Sequence, residues 1–352
     1  MFGMYRTFLA FLVVIYHLLS VPVIGNFAVF AFFILSGFLM TTIMHDNYGY
    51  NPIGTKKFAL KRFLRLYPTY WSVCLITLIT ILIVGTDYAE NYKDTLALKH
   101  DFSFYFSNAT MMFLAILPYE ITPRLVPSAW ALTLEIFFYI LIALGISKTQ
   151  TRTKIWLTIS VLCIIYSYVA QIEGHFRYAS ILGASLPFSI GAYLYFNKQK
   201  VMTLLKSYKI SHPWLLLFIY LLNIILCALN YYYSPFDLSK YIGELGKYIN
   251  IFLASALIIS LYYRGNEIFS KKFDNVIGDY SYPIYLTHWQ CGLLASYFLF
   301  EKPTRGLSLA GGLSFLLACV LTILTSFFLL KYIDGSLNTH KLKKLVSLTK
   351  SN

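Results

Sequence analysis

Charge is what this 352-residue chain has least of: Asp, Glu, Lys and Arg together make up 12% of it, about half the share of soluble proteins. With 58% hydrophobic residues and a mean hydropathy of +0.63, this shortage excludes a water-soluble fold and indicates a polytopic membrane protein. Cysteine is scarce as well. Cys74, Cys163, Cys227, Cys291 and Cys319 each lie inside an apolar run, with no Cys-x-x-Cys and no His/Cys spacing suited to zinc. A disulfide framework and a metal site are therefore not expected. The first apolar stretch lacks an Ala-x-Ala-like cleavage site, and a second follows at once, so it reads as a retained helix rather than a signal peptide. Internal repeats and low-complexity tracts are missing. The net charge of +14 is not gathered into a basic stripe with interleaved aromatics, so no nucleic-acid partner is expected. The basic residues flank apolar runs, the pattern of membrane orientation.

What is present is a series of apolar segments. A helical crossing needs roughly 20 mostly apolar residues, and ten segments qualify: 7–24, 26–44, 68–85, 128–146, 155–173, 178–196, 213–233, 245–263, 277–300 and 307–330. The expected fold is all-α, one membrane domain over residues 1–335 followed by a basic tail at 336–352. With both termini in the cytoplasm, Arg6, the 45–67 loop, the Lys148/Arg152/Lys154 loop, the 198–209 loop, the Arg264/Lys271/Lys272 loop and the tail place most Lys and Arg inside. Residues 104–118, apolar but short and punctuated by Asn108, fit this bias only as a re-entrant or interfacial segment. The 86–127 connection then becomes the largest extracytoplasmic element, a lid or acceptor-binding surface.

Ionisable groups inside such spans mark candidate chemistry. Arg6 and His17 share the first helix, eleven residues or about 16 Å apart and close to three full turns, so both point the same way. His17 alone reads equally well as a histidine satisfied by a neighbouring helix. Its company is what points to acyl or proton transfer: Glu135, the only carboxylate of the fourth span, and His288 in the ninth. In Lys61-Arg62-Phe-Leu-Arg65-Leu-Tyr67-Pro68, Arg62 and Arg65 are three apart on one helical face. They suit either anionic lipid headgroups or a phosphate-bearing ligand. Trp130 reads as an interfacial anchor. Tyr282, Tyr285 and His288 step by three along one face, with Pro283 near the expected helix start.

These residues resemble the acyltransferase 3 family, integral membrane enzymes that O-acylate surface polysaccharides, lipopolysaccharide and related glycans in bacteria. The family's Arg-x10-His matches Arg6 and His17. Its Phe-Phe-x-Leu-Ser-Gly-Phe-Leu matches Phe32 to Leu39, including Ser36. Its Arg-x-x-Arg-Leu-x-Pro matches Arg62 to Pro68, its Trp-x-Leu-x-x-Glu-x-x-Phe-Tyr matches Trp130 to Tyr139, and its Ser-Tyr-x-x-Tyr-Leu-x-His matches Ser281 to His288. Two positions depart from the pattern: Gly3, where members often carry Asp, and Ala131, where Ser often follows the Trp.

The resemblance implies an acyl donor, usually acetyl-CoA, and a sugar hydroxyl on a surface polysaccharide, O-antigen or lipid-linked glycan as acceptor. It implies a multi-pass protein of the bacterial inner membrane, with or without a separate extracytoplasmic acyl-handling protein. His17 is then general base or transient acyl carrier, with Arg6 and Glu135 beside it. Glu135 is the expected holder of the His17 tautomer. Arg62, Arg65 and Ser36 are expected on the CoA side, and Trp130, Tyr139, Tyr282, Tyr285 and His288 around the substrates. The rival class is a secondary transporter or glycan flippase, which also uses intramembrane Arg, His and Glu but is disfavoured by the lack of inverted repeats.

Overall fold

The computed structural model describes residues 2–113, 123–268 and 270–334. The expected tail at 336–352 and the last part of the 104–118 stretch lie outside the described residues. Within them every element is helical: α1 (Gly3–Leu19), α2 (Ile24–Ile43), α3 (Pro52–Val84), α4 (Thr86–Tyr92), α5 (Phe102–Thr110), α6 (Ala129–Ala143), α7 (Gln150–Val169), α8 (Phe176–Ala179), α9 (Ile181–Ser207), α10 (Pro213–Tyr233), α11 (Phe236–Ile268), α12 (Lys271–Leu299) and α13 (Leu309–Leu329). A 3-10 turn over Asp94–Leu96 and π-helical turns at Met44–Tyr48 and Leu330–Asp334 complete the list.

By length and composition, six of these helices can cross a membrane: α2, α3, α7, α10, α11 and α13. Helices α1 and α6 are apolar but only 17 and 15 residues long. Helices α9 and α12 are long enough, at 27 and 29 residues, but too polar to qualify. The reason is clear in α12, whose Ser281, Thr287, His288, Gln290 and Ser296 are all buried against protein. A helix enclosed by other helices needs no apolar surface. The peripheral helices are the opposite: α13 exposes Leu309, Leu313, Leu316, Val320 and Ile323, and α7 exposes Ile155, Ile159 and Leu162. Such a band would be an aggregation site in water and suits lipid.

Helix α3 begins at Pro52, well before the expected start at 68. Asn51 caps it by accepting from the Gly54 amide at 2.8 Å, and Pro52 occupies the first turn, where its missing N–H is harmless. Lys56, Lys57, Lys61, Arg62 and Arg65 lower the hydropathy of this segment without lowering its helix propensity. Pro68 therefore lies inside the helix rather than at its start. Pro283 is likewise interior, because α12 starts at Lys271.

The centre is formed by α1 packed on α12 and α2, with α2 packed on α9 and α11. Two crossings depend on small residues, as helices in lipid commonly do. Gly3 of α1 meets Gly278 of α12 so closely that a Cβ on Gly3 would stand 1.7 Å from the Asp274 carbonyl oxygen. Gly37 of α2 faces Gly191 of α9 in the same manner, a Cβ on Gly191 falling 2.0 Å from the Ile34 carbonyl oxygen. The Asp274 carboxylate accepts from the Gly3 and Met4 amides at 2.9 and 3.0 Å. The acidic group missing from position 3 is thus supplied to the start of α1 by α12.

Helix α5 has nine residues, about 13 Å, too short to cross. It lies against the middle of α3, where Tyr67, Tyr70 and Trp71 donate to the carbonyls of Thr110, Asn108 and Ala109. Three aromatic donors thereby satisfy the open carbonyls at its C-terminal end.

Candidate active site

The candidate residues fall into two cavities set at opposite ends of α1. One, near the N-terminal end, has a volume of about 140 Å³ and is lined by Arg6, Ser36, Arg62, Arg65, Glu135, Tyr139, Tyr282 and Tyr285, with apolar walls from α2. The other, about 820 Å³, is lined by His17, Trp130 and Trp289 together with residues of α11 and of the 86–127 connection, namely Lys93, Thr95 and Arg124. That connection is therefore part of the wall around His17.

In the smaller cavity, the Glu135 carboxylate accepts from the Ser36 hydroxyl at 2.6 Å and from the Tyr139 hydroxyl at 3.2 Å. Among the described residues, Arg6, Arg62 and Arg65 form no ion pair, and the Nε of both Arg6 and Arg62 is buried without a partner. Three guanidinium groups around one carboxylate leave an excess of positive charge and of unused donors, a composition that suits a polyanion. Tyr282 is anchored by donating to the Leu66 carbonyl at 2.8 Å.

In the larger cavity His17 meets a histidine rather than a carboxylate. His17 Nδ1 is 2.8 Å from His288 Nε2, and the two rings are within 3° of parallel with centroids 5.0 Å apart, an edge-to-edge contact. Glu135, the expected tautomer holder, bonds elsewhere because its position on α6 turns it to Ser36 and the smaller cavity. The pairing also fixes the protons. His288 Nδ1 lies 3.3 Å from the Ile284 carbonyl, which can only accept, so in the neutral ring Nδ1 carries the hydrogen and Nε2 is bare. His288 Nε2 then accepts from His17 Nδ1–H, and His17 keeps its lone pair on Nε2. A base held in that tautomer is ready to take a proton from a hydroxyl.

A reciprocal pair of hydrogen bonds joins the start of α6 to α12 at Tyr285, a residue of the smaller cavity's wall. The Ser128 hydroxyl donates to the Tyr285 carbonyl at 3.0 Å, and the Tyr285 hydroxyl donates to the Ser128 carbonyl at 3.1 Å. Phe32 packs edge-on against Tyr285. The expected substrate residues are divided: Trp130 lies with His17, packed against Tyr178 at 5.0 Å, whereas Tyr139, Tyr282 and Tyr285 lie with the arginines. The sequence reading did not select Trp289, whose ring is 4.8 Å from His17, nor Lys247 and Glu244, which bond at 2.7 Å in the larger cavity. Lys247 inside an expected span was the available signal.

Among the described residues, then, the protein is an all-helical membrane protein with an arginine-lined cavity at one end of its first helix and a histidine pair at the other. The sequence model of the acyltransferase 3 family, an acyltransferase domain, matches residues 4–331. The chain belongs to this family of membrane O-acyltransferases. No curated protein and no solved structure matches it.

Proposed function

We propose that the protein is an O-acetyltransferase of the bacterial inner membrane, moving acetyl from acetyl-CoA to a sugar hydroxyl of a surface polysaccharide, O-antigen or lipid-linked glycan. In this reading the ten helices matching the expected segments form one membrane domain, and both termini face the cytoplasm. The observation that carries it is the placement of an unpaired arginine cluster and a tautomer-fixed histidine at the two ends of α1. Arg62, Arg65 and Arg6 hold the CoA phosphates. The thioester arm runs past the apolar wall of α2 toward His17, over the about 16 Å between Arg6 and His17.

At the reaction centre His17 Nε2 takes the proton of the acceptor hydroxyl as its oxygen attacks the thioester carbonyl. The C–S bond breaks, and the proton passes from His17 to the departing CoA thiolate. His288 accepts from His17 Nδ1 throughout and steadies the transient imidazolium. The test is membranes holding the His17→Ala variant, given radiolabelled acetyl-CoA and glycan acceptor. Label transfer is expected to vanish while the protein stays in the membrane; transfer at the normal rate refutes the proposal. Movement of acceptor without label points to a transporter.

A further inference from the structure

The larger cavity carries a charge pattern that acyl transfer to a neutral sugar does not require. Five cations line it, Lys93, Arg124, Lys240, Lys247 and Arg305, with Glu244 as the one carboxylate among its described lining residues. Glu244 is already engaged: Tyr168 and Lys247 donate to its Oε2 at 2.5 and 2.7 Å, and Arg177 lies 3.5 Å from Oε1. The other described carboxylates of the connecting segments at this end, Asp87, Glu90, Asp94, Asp101, Glu173 and Glu301, stay out of the lining. Asp94 pairs with Lys93 of the lining, and the described lining still holds more bases than acids.

Arg305 and Lys240 are the cations left over, since neither forms an ion pair with any described residue. Arg305 is held close to the reacting histidine. The Gly306 amide donates to the Leu18 carbonyl at 2.9 Å, which pins the α12–α13 loop to the end of α1, and Gly306 adopts φ +101° to make the turn. The guanidinium stands 5.4 Å over the Trp289 ring, and that ring is itself 4.8 Å from His17. Two further groups in the lining await partners: Asn26 Oδ1 and Trp289 Nε1 are buried and unbonded, one acceptor and one donor of the kind a sugar hydroxyl satisfies. Trp130 and Tyr178 offer aromatic faces beside them.

We propose that the acceptor is an anionic glycan, carrying a carboxylate or phosphate that reaches Arg305 and Lys240 when its accepting hydroxyl is at His17. This rests on the acyltransferase reading above. A cavity lined by one sign of charge concentrates ligands of the other sign and rejects its own, and guanidinium groups favour carboxylate and phosphate oxygens. The negative charge has two sources, an acidic sugar or the pyrophosphate of a lipid-linked sugar, and the experiment separates them.

Full-length protein in discs of zwitterionic lipid is titrated, following tryptophan fluorescence, with a galacturonic acid tetramer, its carboxyl-reduced neutral counterpart, and farnesyl pyrophosphate. At least one anionic probe is expected to bind about tenfold tighter than the neutral tetramer, the worth of one charged hydrogen bond. Tighter binding of the uronate assigns an acidic sugar, and tighter binding of the pyrophosphate assigns a lipid-linked acceptor. The preference is expected to vanish in an Arg305→Gln/Lys240→Gln double variant, whose affinity for the neutral tetramer is unchanged. Four results overturn the proposal: no saturable binding of either anionic probe, equal affinity for the neutral one, a preference that survives in the double variant, or full competition by phosphatidylglycerol added to the discs. Binding needs no acyl donor, so normal transfer by His17→Ala refutes the enzyme reading without touching this result. Efficient transfer to neutral glycans without charge preference refutes this proposal and leaves the enzyme reading intact.

Discussion

Replacing His288 by Leu removes the acceptor from His17 Nδ1 and nothing from the donor side. The contact is 2.8 Å long and His288 is fully buried, so no water replaces it. In the resting enzyme it is a neutral hydrogen bond, but when His17 takes the acceptor proton its donor becomes cationic. Hydrogen bonds to charged groups are worth about 1.5–3 kcal/mol against about 1 for neutral ones. A bond that strengthens as the reaction proceeds lowers the barrier, so its loss lowers kcat. Losing the whole charged bond costs roughly 10- to 150-fold at about 1.4 kcal/mol per decade. The variant also frees the His17 ring to adopt the other tautomer, which deepens the loss. His288→Gln, whose side-chain oxygen still accepts, is expected to recover part of it. The assay is transfer of radiolabelled acetyl from acetyl-CoA in membrane vesicles, with kcat and KM for the donor measured separately. Because the arginines line a different cavity, KM for acetyl-CoA is expected to stay within a factor of about two. A His288→Leu enzyme with normal kcat, or one altered only in donor KM, refutes the assignment of His288 as a positioning residue.

Arg62→Gln and Arg65→Gln are each expected to weaken CoA binding by roughly 10- to 150-fold, the worth of a charge-assisted contact, as read by calorimetric titration. Affinity for an acetyl-pantetheine thioester lacking the nucleotide is expected to be unaffected. Gly3→Ala places a methyl 1.7 Å from the Asp274 carbonyl oxygen and forces α1 away from α12. The expected destabilisation is about 1–3 kcal/mol or more, read as a lowered Tm in detergent; an unchanged Tm refutes the close crossing.

How much of this was legible in the sequence depended on whether the signal was local. Helix α10 spans Pro213–Tyr233, the same bounds as the apolar run, because the run begins at a proline suited to a first turn and carries no charge to blur it. Helix α3 begins 16 residues before its apolar run because hydropathy measures lipid compatibility and not helix formation, and five basic residues separate the two. The inward face of Arg6 and His17 followed from helical periodicity, but their partners did not. His17 and His288 are 271 residues apart, and Ser36 and Glu135 are 99 apart, so the rotation of one helix against another decides each contact. That is why Glu135 stands out as a carboxylate inside a span while its partners do not: it is expected beside His17 and instead bonds Ser36 and Tyr139. Gly3, which reads as a missing acid, is in place the only residue that fits against Gly278.

The reciprocal bonds between Ser128 and Tyr285 have a consequence for the cell as well as for the reaction. A passage through the bilayer wide enough for a pantetheine arm is also wide enough for a file of water, and water wires conduct protons. With a histidine on one side and arginines on the other, an open passage would short-circuit the electrochemical gradient across the membrane. Two hydrogen bonds that use each residue's own hydroxyl and carbonyl satisfy these polar groups within the protein. The contact that fixes α6 against α12 thus withholds two hydroxyls and two carbonyls from any such wire.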